Sequence, residues 1–295
     1  MTYSQADITV PYAVANFAEI RHKGYYYVDK TNYIPLLERY KAPVFLRPRR
    51  FGKSLLVSML AHYYDRNMAT QFKDLFGGTW IGEHPTNEHN QYLVVRYDFS
   101  TTSVASKKED IEKNFNAVNC SPLRTLVERN RDLFGDFRFR EDGNASNMLV
   151  EVCEFISSHN LPPLYILIDE YDNFTNQLLV VYKDSLYQDL TTGESFLRTF
   201  FKVIKAGIGE GTIRTCFCTG VLPVTMDDLT SGYNIAEMLT LKPEFTNLLG
   251  FTHEEAAQYL KYVINKYGPQ ASFEELWTLI LNNYDGYHFL PNAEP

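Results

Sequence analysis

Cysteine is scarce in this chain, with four residues among 295 and no C-x-x-C pair. Without zinc-type spacing or a dense cysteine framework, a zinc-ribbon protein and a disulfide-stapled secreted domain are both excluded. Cys216 and Cys218 alternate along a predicted strand, and Cys120 and Cys153 stand alone. Buried thiols are therefore the simplest interpretation.

Long apolar runs are also lacking. None approaches the roughly 18 residues of a membrane-spanning helix, and the N-terminus has no signal-peptide pattern. We therefore expect an intracellular protein, cytoplasmic or nuclear, that has no membrane partner.

Positive charge is in deficit, since the formal net charge is −8. This balance disfavours a general nucleic-acid-binding surface. One local basic group exists at Arg47, Arg49 and Arg50, and it suits a polyphosphate at least as well as DNA. His84 and His89 lie in a polar stretch, for which a solvated loop is a better interpretation than a metal site.

What the chain does contain is the material of a soluble α/β protein. Hydrophobic residues make up 45% and charged residues 22%, and the length suggests one large or two modest domains. Strands are predicted over 44–46, 92–100, 164–169 and 212–220. Helices are predicted over 55–64, 109–118, 145–158 and 195–206, and a surface loop over 130–147. This alternation indicates a mostly parallel sheet sandwiched by helices.

The most specific feature is the run Gly52-Lys53-Ser54, which lies between the first strand and an amphipathic helix. This layout is typical of a phosphate-binding loop, because N–H groups at a helix N-terminus and the helix dipole favour an anion. We expect Lys53 to reach the β- and γ-phosphates and Ser54 to place its hydroxyl on Mg²⁺. Arg47 replaces the first glycine of the usual Walker A pattern, and an ordinary strand–turn–helix with a surface lysine is the alternative. The residues expected to bind ATP are Arg49, Arg50, Phe51, Gly52, Lys53, Ser54 and Leu55.

A second motif has the form of a Walker B strand. The apolar run Leu164–Ile168 is followed by the two carboxylates Asp169 and Glu170. Asp169 is expected to hold Mg²⁺ through water, and Glu170 to polarise the attacking water. Both lie where a strand ends, at the edge where open α/β sheets place their ligands. The alternative is a buried strand followed by a solvated acidic turn, which the phosphate-binding loop upstream makes less favoured.

Other polar and aromatic residues leave two interpretations open. Thr219 ends the strand predicted beside Walker B. In one interpretation it senses the γ-phosphate and is catalytic, together with Lys53 and Glu170. In the other it only caps the strand. Tyr26 and Tyr27 precede the first strand, where either ring suits stacking on a base, although packing is the favoured interpretation.

The domain organisation follows from these motifs. We expect an N-terminal segment over 1–43 that packs on the core, a P-loop ATPase core over 44–251 and a helical lid over 252–295. Thr252 and Glu255 form a capping-box pattern where the lid begins.

Several motifs together, in order over nearly the whole chain, resemble those of the AAA-ATPase-like family. They are Tyr25–Thr31, Leu46–Leu55, Ile168–Asp172, Thr219–Val224, Asp228–Ile235, Gly250–Thr252 and Tyr284–Phe289. The resemblance implies a P-loop NTPase fold of the ASCE/AAA type, related to archaeal and STAND ATPases, which binds ATP and Mg²⁺. It also implies that an arginine in place of the first Walker A glycine, here Arg47, is a common feature of the family.

Members of this family often carry a PD-(D/E)XK nuclease-like domain after the ATPase lid. A nuclease core of that kind needs a [DE]-x-K triplet to hold a metal and stabilise charge at the phosphate. None of the 14 lysines here has Asp or Glu two positions before it. We therefore expect a lone ATPase module, or a fragment of a longer product that stops before the nuclease-like domain.

Three functions stay open at this point. The first is Mg²⁺-dependent ATP hydrolysis that drives a motor or switch for an unidentified protein partner, with Arg49 or Arg50 either stabilising charge in cis or serving a structural role. The second is a STAND-type latch that holds nucleotide with little turnover. The third is a nucleic-acid-processing factor that acts through a partner. Oligomer formation has no support in the sequence.

Overall fold

The computed structural model of the chain describes residues 9, 11–102, 108–141, 143–173, 195–223 and 233–284. Parts of the family motifs therefore lie outside the described residues, namely Val224, Asp228–Gly232 and Asp285–Phe289. So do positions 1–8 and 10 of the N-terminal segment and positions 285–295 of the predicted lid.

One parallel sheet forms the centre of the fold. Its strands are β1 Pro43–Leu46, β2 Leu93–Asp98, β3 Leu164–Asp169, β4 Ile213–Gly220 and β5 Glu237–Met238. They lie side by side in the order β2-β3-β4-β1-β5, and every pair is parallel. The predicted α/β fold with a parallel sheet between helices is thereby confirmed.

Helices cover both faces of the sheet. They are α1 Phe17–His22, α2 Ile34–Leu37, α3 Lys53–Tyr64, α4 Phe72–Phe76, α5 Trp80–Glu83, α6 Lys108–Arg129, α7 Arg131–Phe134, α8 Ala145–His159, α9 Phe196–Glu210, α10 His253–Tyr267 and α11 Phe273–Tyr284. Short 3₁₀ helices lie at Thr31–Tyr33, Arg66–Gln71, Phe99–Thr101 and Pro243–Phe245. None of the helices in the described ranges is both long and apolar enough to cross a membrane.

The side chains of β3 show how the two faces are filled. Leu164, Ile166 and Ile168 lie in one apolar cluster with α6, α8 and α9. Tyr165 and Leu167 lie in a second cluster on the opposite face, with α3 and the N-terminal helices. A strand buried on both faces has no polar alternation, which explains why this run is apolar throughout.

The order of strands positions the two sequence motifs. β4 lies between β1 and β3, with Phe45 opposite Thr219 and Ile168 opposite Cys218 in the ladder. Because all strands are parallel, the loop after β1 and the carboxylates after β3 emerge at the same edge, on either side of the end of β4.

The structure corrects some element boundaries. The helix predicted over 109–118 continues through Pro122 to Arg129, because Leu123, Leu126 and Val127 bury their side chains against the sheet. The loop predicted over 130–147 contains the helix α7, whose Phe134 is buried. β5 was not predicted, since two residues are too short for a periodic pattern.

The cysteines occupy the core, as their scarcity and spacing predicted. All four are free and buried, and the Sγ atoms of Cys216 and Cys218 lie 3.8 Å apart on β4.

Two leucines test the importance of the α3 face of the sheet. Leu60 is completely buried, whereas Leu279 on α11 is 60% exposed. We expect Leu60→Ala to lower the free energy of unfolding by about 3 kcal/mol through lost burial and a cavity. Leu279→Ala, the matched control, should change it by less than about 0.5 kcal/mol in the same urea titration. Equal effects of the two substitutions would contradict this assignment of the core.

Candidate functional site

The loop after β1 ends in a helix N-terminus that no side chain caps. Arg50 and Gly52 both have positive φ angles, of 71° and 92°, and α3 begins directly after them at Lys53. The first helical bond is Leu56 N–H to Gly52 O, at 2.9 Å. The N–H groups of positions 53–55 therefore have no acceptor among the described residues, which makes this turn a candidate site for an anion.

Lys53 lies inside this loop rather than on the surface. Its side chain is buried, and Nζ donates to the carbonyl oxygens of Arg47 and Pro48, both at 3.0 Å. Burial lowers the pKa of Lys53, while the carboxylates of Glu170 and Asp169 act in the opposite direction. The lysine charge is thus held between the loop and the two acidic residues.

Ser54 and Asp169 bring the two sequence motifs together. The Asp169 carboxylate is buried, and burial raises its pKa. The nearby Ser54 hydroxyl lowers that pKa in part, and Oδ1 accepts the Glu170 N–H at 3.0 Å. A hydroxyl and a carboxylate are hard oxygen donors, so this pair fits a Mg²⁺ ion.

Glu170 has an uncommon backbone conformation. Its φ angle is 49°, in the left-handed region that few residues other than glycine adopt. The side chain is half-buried, and Oε2 accepts a hydrogen bond from Asn173 Nδ2 at 3.2 Å. Burial raises the pKa of Glu170, and the charges of Asp169 and Asp98 raise it further. A strained residue at the end of a central strand is a candidate for function.

Thr219 has its hydroxyl committed to the sheet. The residue is completely buried, and Oγ1 donates to the carbonyl oxygen of Phe45 on β1 at 2.9 Å. This contact favours the strand-cap interpretation over the phosphate-sensing one.

Arg47 does not belong to the basic group that the sequence indicated. It is 1% exposed, and its guanidinium donates to the carbonyl oxygens of Leu46, Thr240 and Thr246 at 3.0–3.2 Å. It also lies over the Phe45 ring, 4.4 Å from the centroid. Burial lowers the pKa of Arg47 to about 10. The carbonyls of the 240–246 segment surround this side chain, so the exposed basic group consists of Arg49 and Arg50 only.

Sequence reasoning missed the role of Asp172. Its buried carboxylate accepts the N–H groups of Val221 at 3.0 Å and Leu222 at 2.7 Å, directly after β4. Tyr171 OH donates to Leu222 O at 2.6 Å. Tyr171 and Asp172 thus fix the path of the chain directly after β4. The sequence showed both residues as part of a family motif, but it did not indicate what they contact.

The loop after β1 also contacts the segment that leads into α10. The Gly250 N–H donates to Phe51 O at 3.3 Å, and Gly52 lies against Leu249. Lys30 and Glu255 form an ion pair at 2.6 Å that joins the N-terminal segment to the first turn of α10.

Two tyrosines from the N-terminal segment pack on protein rings. Tyr26 lies against Tyr259 and Tyr262 of α10, with centroids 4.8 and 5.7 Å away. Tyr27 meets Phe17 edge-on at 5.5 Å. Both contacts agree with the packing interpretation.

The polar loop around His84 and His89 is held by ordinary contacts. His84 stacks on Trp80, and His89 packs against Phe72. Across the described ranges, no three His, Cys, Asp or Glu side chains are grouped to hold a metal ion.

Comparison with known proteins places these features in context. A family model described as Predicted AAA-ATPase matches residues 11–230, which include both motifs. An uncharacterized protein in the vnfD 5′ region of Azotobacter chroococcum mcd 1 is 26% identical over 255 residues. That match covers 83% of this chain and 43% of the relative, so the chain spans less than half of the relative's length.

Gly220 tests the contact between Asp172 and the end of β4. A Cβ atom at position 220 would lie 2.3 Å from Asp172 Oδ1 and 2.8 Å from the Tyr171 ring. We expect Gly220→Ala to lower the free energy of unfolding by about 2 kcal/mol or more, measured by urea titration. In the control Gly209→Ala, a Cβ in α9 meets nothing within 4 Å. That change should stabilise by about 0.5 kcal/mol, and an equal loss in both variants would contradict the close contact.

Arg47 allows a second test, because glycine at this position would restore the usual loop pattern. Arg47→Gly removes the donors to Thr240 O and Thr246 O and leaves a cavity. We expect it to destabilise by about 3 kcal/mol. Arg49→Gly makes the same change at an exposed position two residues away and should cost less than about 1 kcal/mol. Thermal unfolding of both variants gives the comparison, and a neutral Arg47→Gly would refute the structural role.

Proposed function

The chain belongs to the predicted AAA-ATPase family, and from this premise we propose that it binds ATP with Mg²⁺ and hydrolyses the γ-phosphate bond. The observation that carries the proposal is the placement of the Ser54 hydroxyl beside the buried Asp169 carboxylate, whose pKa it lowers. It joins the loop motif to the acidic motif at the edge of the sheet where a phosphate and a metal ion would meet.

The phosphates have a set of donors in this proposal. The N–H groups of positions 53–55 point from an uncapped helix N-terminus, and Lys53 adds a positive charge. Arg49 and Arg50 are exposed in the loop, so their side chains can reach the phosphates of a bound nucleotide. Phe51 and Gly52 bring the loop against the segment before α10 and thereby shape the site.

The metal would be held by Ser54 and Asp169. When bound, Mg²⁺ supplies positive charge to the β- and γ-phosphate oxygens. Asp169 Oδ1 accepts the Glu170 N–H, and this bond helps to fix the orientation of the carboxylate. A carboxylate so oriented needs little rearrangement to bind a cation.

Glu170 is the residue we assign to the attacking water. Burial and the neighbouring carboxylates raise its pKa, which makes its carboxylate a stronger base. The Asn173 amide holds Oε2, so the other oxygen, Oε1, is the atom that would accept a proton from water.

A nucleotide-dependent latch is the second candidate, and one observation favours it. The Thr219 hydroxyl is bound to Phe45 O, so the predicted phosphate sensor on β4 is occupied by the sheet. Slow turnover with retained ADP is the expected behaviour of such a site. No observation on the described residues favours the nucleic-acid-processing role. A motor or switch function would need a protein partner, which is unidentified.

ATP binding and turnover test the assignment of Lys53 and Glu170. We expect Lys53→Ala to weaken Mg-ATP binding by about tenfold or more, because a buried charge is lost from the phosphate site. Glu170→Gln should bind ATP normally but lower kcat by roughly 10²–10⁴. Calorimetry measures the binding, and a phosphate-release assay measures the turnover.

Two exposed substitutions serve as matched controls, Lys73→Ala on α4 and Glu154→Gln on α8. Both should leave ATP binding and turnover at the level of the parent protein. Binding without turnover in the parent would favour the latch, with ADP retained after a single cycle. Failure of the parent to bind ATP would overturn both functions.

A further inference from the structure

The β2 edge of the sheet pairs with another segment of the chain at one residue only. Among the strands of the described ranges, β2 is the last on its side, with β3 as its neighbour. Directly before β2, Tyr92 forms a single parallel bridge with Asp65, through Tyr92 N–H to Tyr64 O and Arg66 N–H to Tyr92 O, both at 3.0 Å. The chain then turns into the 3₁₀ helix Arg66–Gln71 and leaves the edge.

The backbone beyond this bridge faces outward at every second residue. Leu93 N–H donates to Pro163 O, on the side of β3, whereas Tyr92 bonds on the opposite side. By the alternation of a ladder, the N–H and C=O groups of Val94 and Arg96 must point away from β3. These four groups have no hydrogen bond to any other residue in the described ranges.

A groove runs along this edge. Its volume is about 260 Å³, and its floor is formed by the consecutive β2 residues Val94, Val95 and Arg96. One wall is the end of α3 with Asp65, and the other wall is α6, which contributes Thr125 and Arg129 among other residues. An extended peptide placed here would lie at strand distance from β2 with helices on both sides.

The charge in the groove is positive, although the chain as a whole carries −8. Arg96 is exposed and has no ion pair or side-chain hydrogen bond in the part of the chain that the structure describes. Arg129 is 45% exposed and pairs with Asp65 at 2.8 Å, and Asp65 is itself almost buried in that pair. Arg96, which forms no ion pair in the described ranges, and the partly exposed Arg129 therefore line the groove.

We propose that the β2 edge binds an extended acidic segment of a partner protein as an added strand. Its backbone would pair with the outward N–H and C=O groups of Val94 and Arg96, and a carboxylate side chain would meet Arg96 and Arg129. A second copy of this chain fits less well, because pairing of two β2 edges would bring the two Arg96 side chains together.

The first experiment selects the ligand chemistry. A phage-displayed library of random peptides, of roughly strand length, is selected against the full chain, and the recovered peptides are synthesised with a fluorescent label. We expect acidic sequences with alternating β-branched residues. Recovery of no binding peptide, or of peptides without a carboxylate, would overturn the proposal.

Anisotropy titrations with one recovered peptide then test the groove. Arg96→Glu should weaken binding by about tenfold, since an attraction becomes a repulsion. Arg124→Glu is the matched control, because Arg124 is exposed on α6 but does not line the groove. Thr125→Trp should block the groove and abolish binding, whereas Arg124→Trp should not. Equal affinities for all variants would place the peptide elsewhere.

Amide hydrogen exchange followed by NMR distinguishes strand addition from simple anion binding. On addition of the peptide, the amides of Val94 and Arg96 should become protected, while that of Val95, which already points towards β3, should change little. Inorganic phosphate alone should leave all three unchanged. If phosphate reproduces the protection, or if the peptide binds without it, the edge is not the docking surface.

Discussion

The placement of Ser54 beside the buried Asp169 carboxylate is the constraint on which the rest of the site depends. A carboxylate buried at the end of a central strand is costly unless hydrogen bonds compensate for the lost water. Here the compensation comes from the first turn of α3 and from the Glu170 N–H. The sheet order makes this placement feasible, because β4 alone separates β1 from β3. The loop, the acidic residues and the strained Glu170 are all fixed relative to this pair.

Much of this arrangement could be predicted from the sequence, and the reason is local. The apolar run into Asp169, the Gly52-Lys53-Ser54 run and the Thr252–Glu255 capping box are short patterns in which each residue type has a direct physical meaning. The capping box was confirmed in both of its hydrogen bonds. Parallel strands then place the ends of these patterns together without further information.

What could not be predicted depends on contacts between distant parts of the chain. An arginine beside a phosphate-binding loop suggests a phosphate ligand, yet Arg47 turns towards carbonyls nearly two hundred positions away. Asp172 is a carboxylate of the same motif as Asp169 and Glu170, but it binds backbone N–H groups after β4. Thr219 left two interpretations open, and only the hydrogen bond from its hydroxyl to Phe45 O favours one. Side-chain direction, rather than residue type, decides each case.

Glu255 links the start of a helix to an ion pair through one carboxylate. Oε2 accepts the Thr252 N–H at 2.8 Å, and both oxygens also accept Lys30 Nζ. The first turn of α10 and its attachment to the N-terminal segment are therefore thermodynamically coupled, so that fraying of one loosens the other. The same turn lies two residues after Gly250, which is bonded to the phosphate-binding loop at Phe51. A motion of the loop would thus move the first turn of α10 and its ion pair with Lys30 together, as one cooperative unit.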